Sequence, residues 1–229
     1  VASVRDAVLA RVSGLAPASR RLLAAVSVVP PRAELELLEA LAGREIAQLD
    51  DCLASGMLVA DGSGVAFRHE LARLAVEESI GPVERVSLHR GALSALRVAG
   101  ADNARLAHHA EAAGDGEAVL EFAPAAAAQA AAAGAHREAI RQYERTLRLG
   151  DGLPPEHRAA LLERGGHEYY LVDDFTDGVA WLRAAVELHR ASGDRLREGD
   201  ALRQLSSIQR CGALTAESER TGREAVALL

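Results

Sequence analysis

The feature that most constrains this chain is the run RAALLERGGHEYYLVDDFTDGVAWLRAAVEL at residues 158–188. It reads as two antiparallel helices joined by a short polar turn at Asp173 and Asp174. Apolar residues recur at helical spacing in both halves: Leu161, Leu162, Tyr169 and Leu171, then Val179, Leu182, Ala185 and Val186. Small residues stand where two such helices would cross, at Gly165, Gly166, Gly178 and Ala185. A Gly inside a helix costs about 1 kcal/mol against Ala, so close backbone approach is the physical reason expected for it. One helix pair cannot bury its apolar faces alone, which predicts neighbours of the same kind.

Those neighbours recur at a fixed step. Thirty-nine residues before Gly166 the small site is Ala127, the turn carries Gly134, and Ala139, Ile140, Tyr143 and Leu147 face inward in the second helix. Forty residues after Gly166 the small site is Ser206, preceded by Leu202 and Leu205. The turn there is Cys211-Gly212-Ala213, and Ala225, Val226 and Leu229 are the inward residues of the following helix. The phrase GAHREAIRQY at 134–143 resembles the tetratricopeptide repeat, a helix–turn–helix unit with small residues at fixed points. Gly222 stands where that repeat usually has an aromatic, and Gln209 where it has Tyr. The step exceeds the usual 34 residues because the links at 150–155 and 192–197 are long.

Ahead of the repeats the pattern changes. Ser3 is placed to cap a helix running through Val8, Leu9 and Val12, and a second helix follows Pro17 and ends before Pro30 and Pro31. Two short helices, ELELLEALAG and REIAQLDDCLASG, lead into residues 57–68, where two short apolar runs flank the turn chemistry of 61–64 and predict a β-hairpin. Three helices followed by such a hairpin describe a winged-helix domain. A long helix from Pro82 to about Ala99 bridges into the array, and helices are expected over 103–113 and 116–133, the second interrupted or kinked at Pro124. The expected architecture is therefore mainly α: a winged-helix domain with a small β-hairpin over residues 1–98, then a tetratricopeptide-like α-solenoid over 99–229.

Charge and composition narrow the partners. The formal net charge is −7, and residues 99–229 carry 15 Arg against 21 acids, a poor surface for phosphate backbones. In the winged-helix region, Glu34, Glu36, Glu39, Glu45, Asp50 and Asp51 crowd the helices that would enter a DNA groove, with Arg44 beside them. Direct nucleic-acid binding by this chain is thus not expected. Cys52 and Cys211 lack CxxC spacing, consistent with a reduced, cytoplasmic protein. No apolar run reaches the roughly 18–20 residues that span a bilayer, so no membrane contact is expected. The chain begins and ends within helices, and we expect it to be a section of a longer polypeptide.

Several stretches together, ASVRDAVLARV, GVAFRHELARLAVEE, LAHHAEAAGD and GDRLREGDALR, resemble the middle of the large ATP-binding LuxR-type transcription regulators, members of the signal-transduction ATPases with numerous domains. The resemblance implies an upstream nucleotide-binding domain, a winged helix, a helical-repeat sensor, and a downstream helix-turn-helix that binds DNA. ATP or ADP would then belong to the full-length protein and no cofactor to this section. The P-loop motif needs a Lys, and this sequence has none. Within the same resemblance, Phe67-Arg68-His69-Glu70 is similar to the Met-His-Asp motif that senses the bound nucleotide. His69 is therefore the candidate nucleotide-state sensor, with Arg68 and Glu70 replacing its usual neighbours; the alternative is a His that caps its helix and packs on the hairpin.

In tetratricopeptide arrays the first helix of each unit lines a groove. Glu163, His167 and Tyr170 share one such face, and Asp200, Arg203, Ser207 and Arg210 occupy the matching face of the next unit. These residues are the candidate contacts for a peptide, protein partner or small effector, the alternative being a solvated face. His108 and His109, with His89 upstream, suggest a metal site at first sight. Adjacent helical residues point about 100° apart, and no Cys or spaced carboxylate joins them, so packing or surface roles are expected and no metal. His136, His157 and His189 receive no role. No G-x-S-x-G or Cys–His signature supports catalysis, and no enzyme is expected. Two functions remain: a sensor and interaction module, or a self-association scaffold, the second of which makes the chain a homo-oligomer without ligand.

Overall fold

In the computed structural model, which describes residues 4–150 and 152–228, the chain is mainly helical with a small three-stranded sheet. Ser3, read as a helix cap, and Leu229, read as inward-facing, lie outside the described residues. Two compact units emerge: residues 1–101 with 108–115, and residues 102–107 with 116–229.

The first unit opens with α1 (Val4–Ser13) and α2 (Pro17–Ser27), the latter started by a proline at its first turn, where the missing N–H costs nothing. A two-residue strand, β1 (Ala33–Glu34), precedes α3 (Leu35–Ala42). The single helix expected over the next stretch divides into a 3₁₀ segment (Gly43–Gln48) and α4 (Leu49–Ala54). The hairpin forms as β2 (Leu58–Asp61) and β3 (Gly64–Phe67), antiparallel, with Asp61 opposite Gly64 and a two-residue loop between them. β1 adds to the outer edge of β3 through Ala33 opposite Val65, so the sheet order is β1-β3-β2. Gly64 makes this edge pairing possible, because a Cβ there would overlap the Ala33 carbonyl. Leu22 and Leu23 of α2, Leu38 of α3 and Leu58 of β2 are fully buried.

After β3 come α5 (Glu70–Ser79) and α6 (Pro82–Val98). Arg73 of α5 is only 7% exposed. Its guanidinium meets Glu70 at 2.7 Å and Glu77 at 2.5 Å and donates at 2.6 Å to the Ser27 carbonyl at the end of α2. A buried charge needs this many partners to avoid a heavy desolvation cost, and the arrangement fastens α5 to α2. α7 (Asn103–Ala112) starts at Asp102, whose carboxylate accepts from the Arg105 N–H at 3.0 Å. Its second half, from His108, belongs to the first unit.

The second unit is three helical hairpins: α8 (Gly116–Ala132) with α9 (His136–Leu149), α10 (Pro155–Leu171) with α11 (Phe175–Ser192), and α12 (Arg195–Cys211) with α13 (Thr215–Leu228). Consecutive hairpins also pack, α9 on α10 and α11 on α12, a repeat-like arrangement consistent with a tetratricopeptide-like solenoid. Pro124 is held within an unbroken α8. Within each hairpin a small pair twelve residues apart marks the crossing: Ala127 with Ala139, Gly166 with Gly178, Ser206 with Ser218. Ala127 and Ala139 are both 0% exposed in one apolar cluster. Ser206 and Ser218 donate to each other's carbonyls at 2.9 and 2.8 Å. A Cβ on Gly178 would overlap Ile208 Cδ1. Leu171 and Val226, read from sequence as inward-facing, are 43% and 79% exposed. Leu171 is the last residue of α10, beyond the crossing, and Val226 lies about 100° around the helix from buried Ala225.

The three hairpin turns share one backbone device. Gly134, Asp173 and Ala213, spaced by the repeat step, all adopt left-handed φ, at 73°, 61° and 61°. Left-handed backbone costs a residue with a Cβ roughly 1–2 kcal/mol. Ala213→Gly is therefore expected to raise stability by about 0.5–1 kcal/mol, read as an upward shift in the urea midpoint with unchanged slope. Gly178→Leu should do the opposite, lowering stability by roughly 1–3 kcal/mol through overpacking against Ile208. A melting curve unaffected by Gly178→Leu would show that the crossing is not where these contacts place it.

Candidate functional site

The first helices of the second and third hairpins, α10 and α12, hold two adjoining hollows between them. One, of about 210 Å³, is walled by His167 and Tyr170 from α10 and by Arg203, Gln204 and Ser207 from α12, over a floor that includes Leu182 and Ile208. The other, of about 270 Å³, is bounded by Tyr143, Glu163, Arg164 and Glu168 and shares His167 and Gln204 with the first. Polar groups around an apolar floor are the usual composition of a binding cleft. The rings of His167 and Tyr170 stack with centroids 6.3 Å apart, and Tyr170 stays 39% exposed beside Phe175. One α10 stripe thus presents an aromatic plate and a titratable ring, and the facing α12 stripe presents a guanidinium, an amide and a hydroxyl.

The seven residues singled out from sequence do not all meet. His167, Tyr170, Arg203 and Ser207 share the first hollow. Glu163 borders the second, yet its carboxylate is engaged inward: His189 Nε2–H donates to Glu163 Oε1 at 2.8 Å, and His189 is 2% exposed. A carboxylate only accepts, so this bond fixes the proton on Nε2. Asp200 is exposed and pairs with Arg203 at 3.7 Å without lining either hollow. Arg210 faces a separate hollow of about 580 Å³ against α13, with Glu219 and Arg223. Of Asp200, Arg203, Ser207 and Arg210, only Arg203 and Ser207 line the first hollow, while Arg210 lines the one against α13.

Sequence reasoning passed over Gln204, Arg164, Glu168 and Tyr143. Gln204 lies four residues after Asp200 and three before Ser207, within the stripe already being read. Glu168 is buried and accepts from His136 Nδ1–H of α9 at 2.7 Å, a contact between consecutive hairpins that no local pattern announces. His136 and His189, given no role from sequence, are both hydrogen-bond partners of groove-side carboxylates. Tyr169, behind the groove, donates to Glu144 at 2.7 Å, and burial with the nearby carboxylate pushes its phenol above its ordinary range.

In the first unit, His69 is exposed at the N-cap position of α5. Its carbonyl accepts from the Ala72 and Arg73 N–H groups at 3.0 and 3.2 Å, while its side chain makes no capping bond. The capping alternative for its imidazole is thereby set aside. His89, His108 and His109 depart furthest from expectation. Read as separate packing or surface groups, they converge: His89 Nδ1 and His109 Nδ1 lie 3.0 Å apart, and all three rings are within 5.0–5.7 Å of one another. His89 and His109 are 1% and 2% exposed. Burial, then the fields of His108 and Arg85, push the His89 imidazolium down to about 4. The 100° step between neighbours on α7 did not separate them, because an imidazole reaches far enough for both rings to close on a third from α6.

No protein-family model and no curated protein sequence matches the chain. A similar solved structure is the crystal structure of a signal-transduction ATPase with numerous domains that carries a tetratricopeptide repeat sensor, from Pyrococcus horikoshii. It aligns at 12% identity with a TM-score of 0.46, over 100% of this chain and 53% of that one. The chain therefore spans about half the length of that protein. Among the described residues, no helix is long and apolar enough to cross a membrane.

The hydrogen bonds separate support from display within this site. Glu163→Ala removes the carboxylate partner of buried His189 and is expected to cost about 1–3 kcal/mol. Asp200→Ala removes only an exposed pair and should stay within about 0.5 kcal/mol of the parent chain. Urea unfolding of the two variants checks this, and equal losses would contradict it.

Proposed function

We propose that this chain is the sensor and protein-interaction region of a LuxR-type transcription regulator of the signal-transduction ATPase class. Its repeats take a peptide, partner segment or small effector in the α10/α12 groove and relay occupancy to ATPase and DNA-binding domains elsewhere in the full-length protein. The observation that carries the proposal is the groove itself: His167, Tyr170, Arg203, Gln204 and Ser207 surround an apolar floor. Such a surface suits an extended segment with one apolar side chain and flanking polar groups. The resemblance of the sequence phrases to LuxR-type regulators is what supports the family reading. The order helix, strand, helix, helix, hairpin in the first unit, with the early strand on the hairpin's edge, supports reading it as a winged helix. In that reading His69, at the N-terminus of α5, is the residue that would meet ADP phosphate held by the nucleotide-binding domain, where a helix N-terminus favours an anion. ATP and ADP act only in the full-length protein, in the cytoplasm, and the acidic helices of this section keep it off DNA.

Panning a random-peptide phage library on the chain tests the groove. Enriched peptides should lose at least tenfold in affinity on Tyr170→Ala and on Arg203→Ala, with helical circular dichroism retained in both variants. Peptides that bind both variants as well as the parent would contradict the groove. Concentration-dependent oligomers by light scattering, in the absence of any peptide, would instead favour a self-association scaffold.

A further inference from the structure

The histidine cluster of the first unit shares no residue with the groove or with the His69 motif, and neither role uses it. Its three rings come from two elements: His89 from α6, and His108 and His109 from the second half of α7. One nitrogen from each ring lies within 4.8 Å of the other two. His89 and His109 are almost fully buried, and His108 Nε2 is sealed from solvent. We propose that His89, His108 and His109 form a binding site for one divalent transition-metal ion, Zn²⁺ first, that ties α6 to the last turns of α7.

The chemistry follows from the donor set. Three imidazoles with no carboxylate among them suit Zn²⁺, Ni²⁺ or Cu²⁺ and offer little to Ca²⁺ or Mg²⁺, which prefer oxygen. Tetrahedral Zn–N bonds of 2.0–2.1 Å place neighbouring ligand nitrogens about 3.3 Å apart. The 3.0 Å separation of His89 Nδ1 and His109 Nδ1 is already near that spacing. In the metal-free chain one of these nitrogens donates a proton to the other; on metal binding the donor ring would take its other neutral tautomer, with the proton on Nε2, so that both Nδ1 lone pairs face the ion. The third nitrogen, within 4.8 Å, closes by rotation of the less buried ring, His108. Three protein ligands leave a fourth position for water or a small anion, as in open zinc sites. The ligand form of imidazole is the neutral one.

The test titrates the chelator-treated chain with Co²⁺ and then Zn²⁺. The site predicts intense visible bands of four-coordinate Co²⁺ saturating at one equivalent, their loss on adding Zn²⁺, and a rise in melting temperature with Zn²⁺ concentration. His108→Asn, at the half-buried ring, should weaken Co²⁺ binding at least tenfold. His157→Asn, at an exposed ring outside the cluster, should leave it unchanged. Circular dichroism establishes that each variant is folded. Were His108→Asn to unfold, X-ray absorption on the Zn²⁺-loaded parent decides instead: a first shell with three imidazoles supports the site. Absence of four-coordinate bands and of any thermal shift in the parent chain, or binding that survives His108→Asn or is lost with His157→Asn, overturns the proposal.

Discussion

The second unit depends on two backbones coming close enough for their carbonyls and small side chains to touch. Ala127 with Ala139, Gly166 with Gly178, and Ser206 with Ser218 solve that requirement in three chemistries: methyl contacts, bare backbone, and reciprocal hydroxyl-to-carbonyl hydrogen bonds. Glycine in a helix is intrinsically unfavourable by about 1 kcal/mol. Contact with Leu182 and Ile208 at the glycine crossing offsets it, since each buried aliphatic side chain contributes roughly 1.5–3 kcal/mol. Because each crossing sits at the same place in its hairpin, α10 and α12 present equivalent faces toward the same groove.

That groove is built in two tiers. Part-buried pairs, His189 with Glu163 and His136 with Glu168, hold carboxylates against neighbouring helices. Exposed groups, Tyr170, His167 and Arg203, are left to face solvent. The first unit uses a comparable division. Arg73, held by Glu70 and Glu77 of its own helix, ties α5 to the Ser27 carbonyl of α2, while the acids Glu36, Glu39, Asp50 and Asp51 stay on the outside.

Much of this was legible because it depends on local pattern. The small residues at a 39–40 residue step located all three crossings, and Asp61 through Gly64 located the hairpin. β1 escaped notice because two residues cannot display an alternation, and it exists only through pairing with β3. The break between the 3₁₀ segment and α4 left no proline or capping signal to read. The groove stripe was followed too rigidly along α12, so Gln204 was missed and Arg210 included. The histidine cluster was dismissed by an argument confined to one helix, and its convergence arises from α6 meeting α7. What sequence periodicity reports is which side of a helix is apolar; which polar groups meet across helices is settled by tertiary packing.

Disulfide trapping at the third crossing tests the shared register most directly. The hydroxyls of Ser206 and Ser218 are 3.2 Å apart, within reach of a disulfide if both become Cys. In a Cys211→Ser background, Ser206→Cys with Ser218→Cys should close an intrachain disulfide under mild oxidation without loss of helical signal. Ser207→Cys with Ser218→Cys, one residue out of register, should stay reduced. Equal trapping of the two pairs would contradict a common crossing register for the three hairpins.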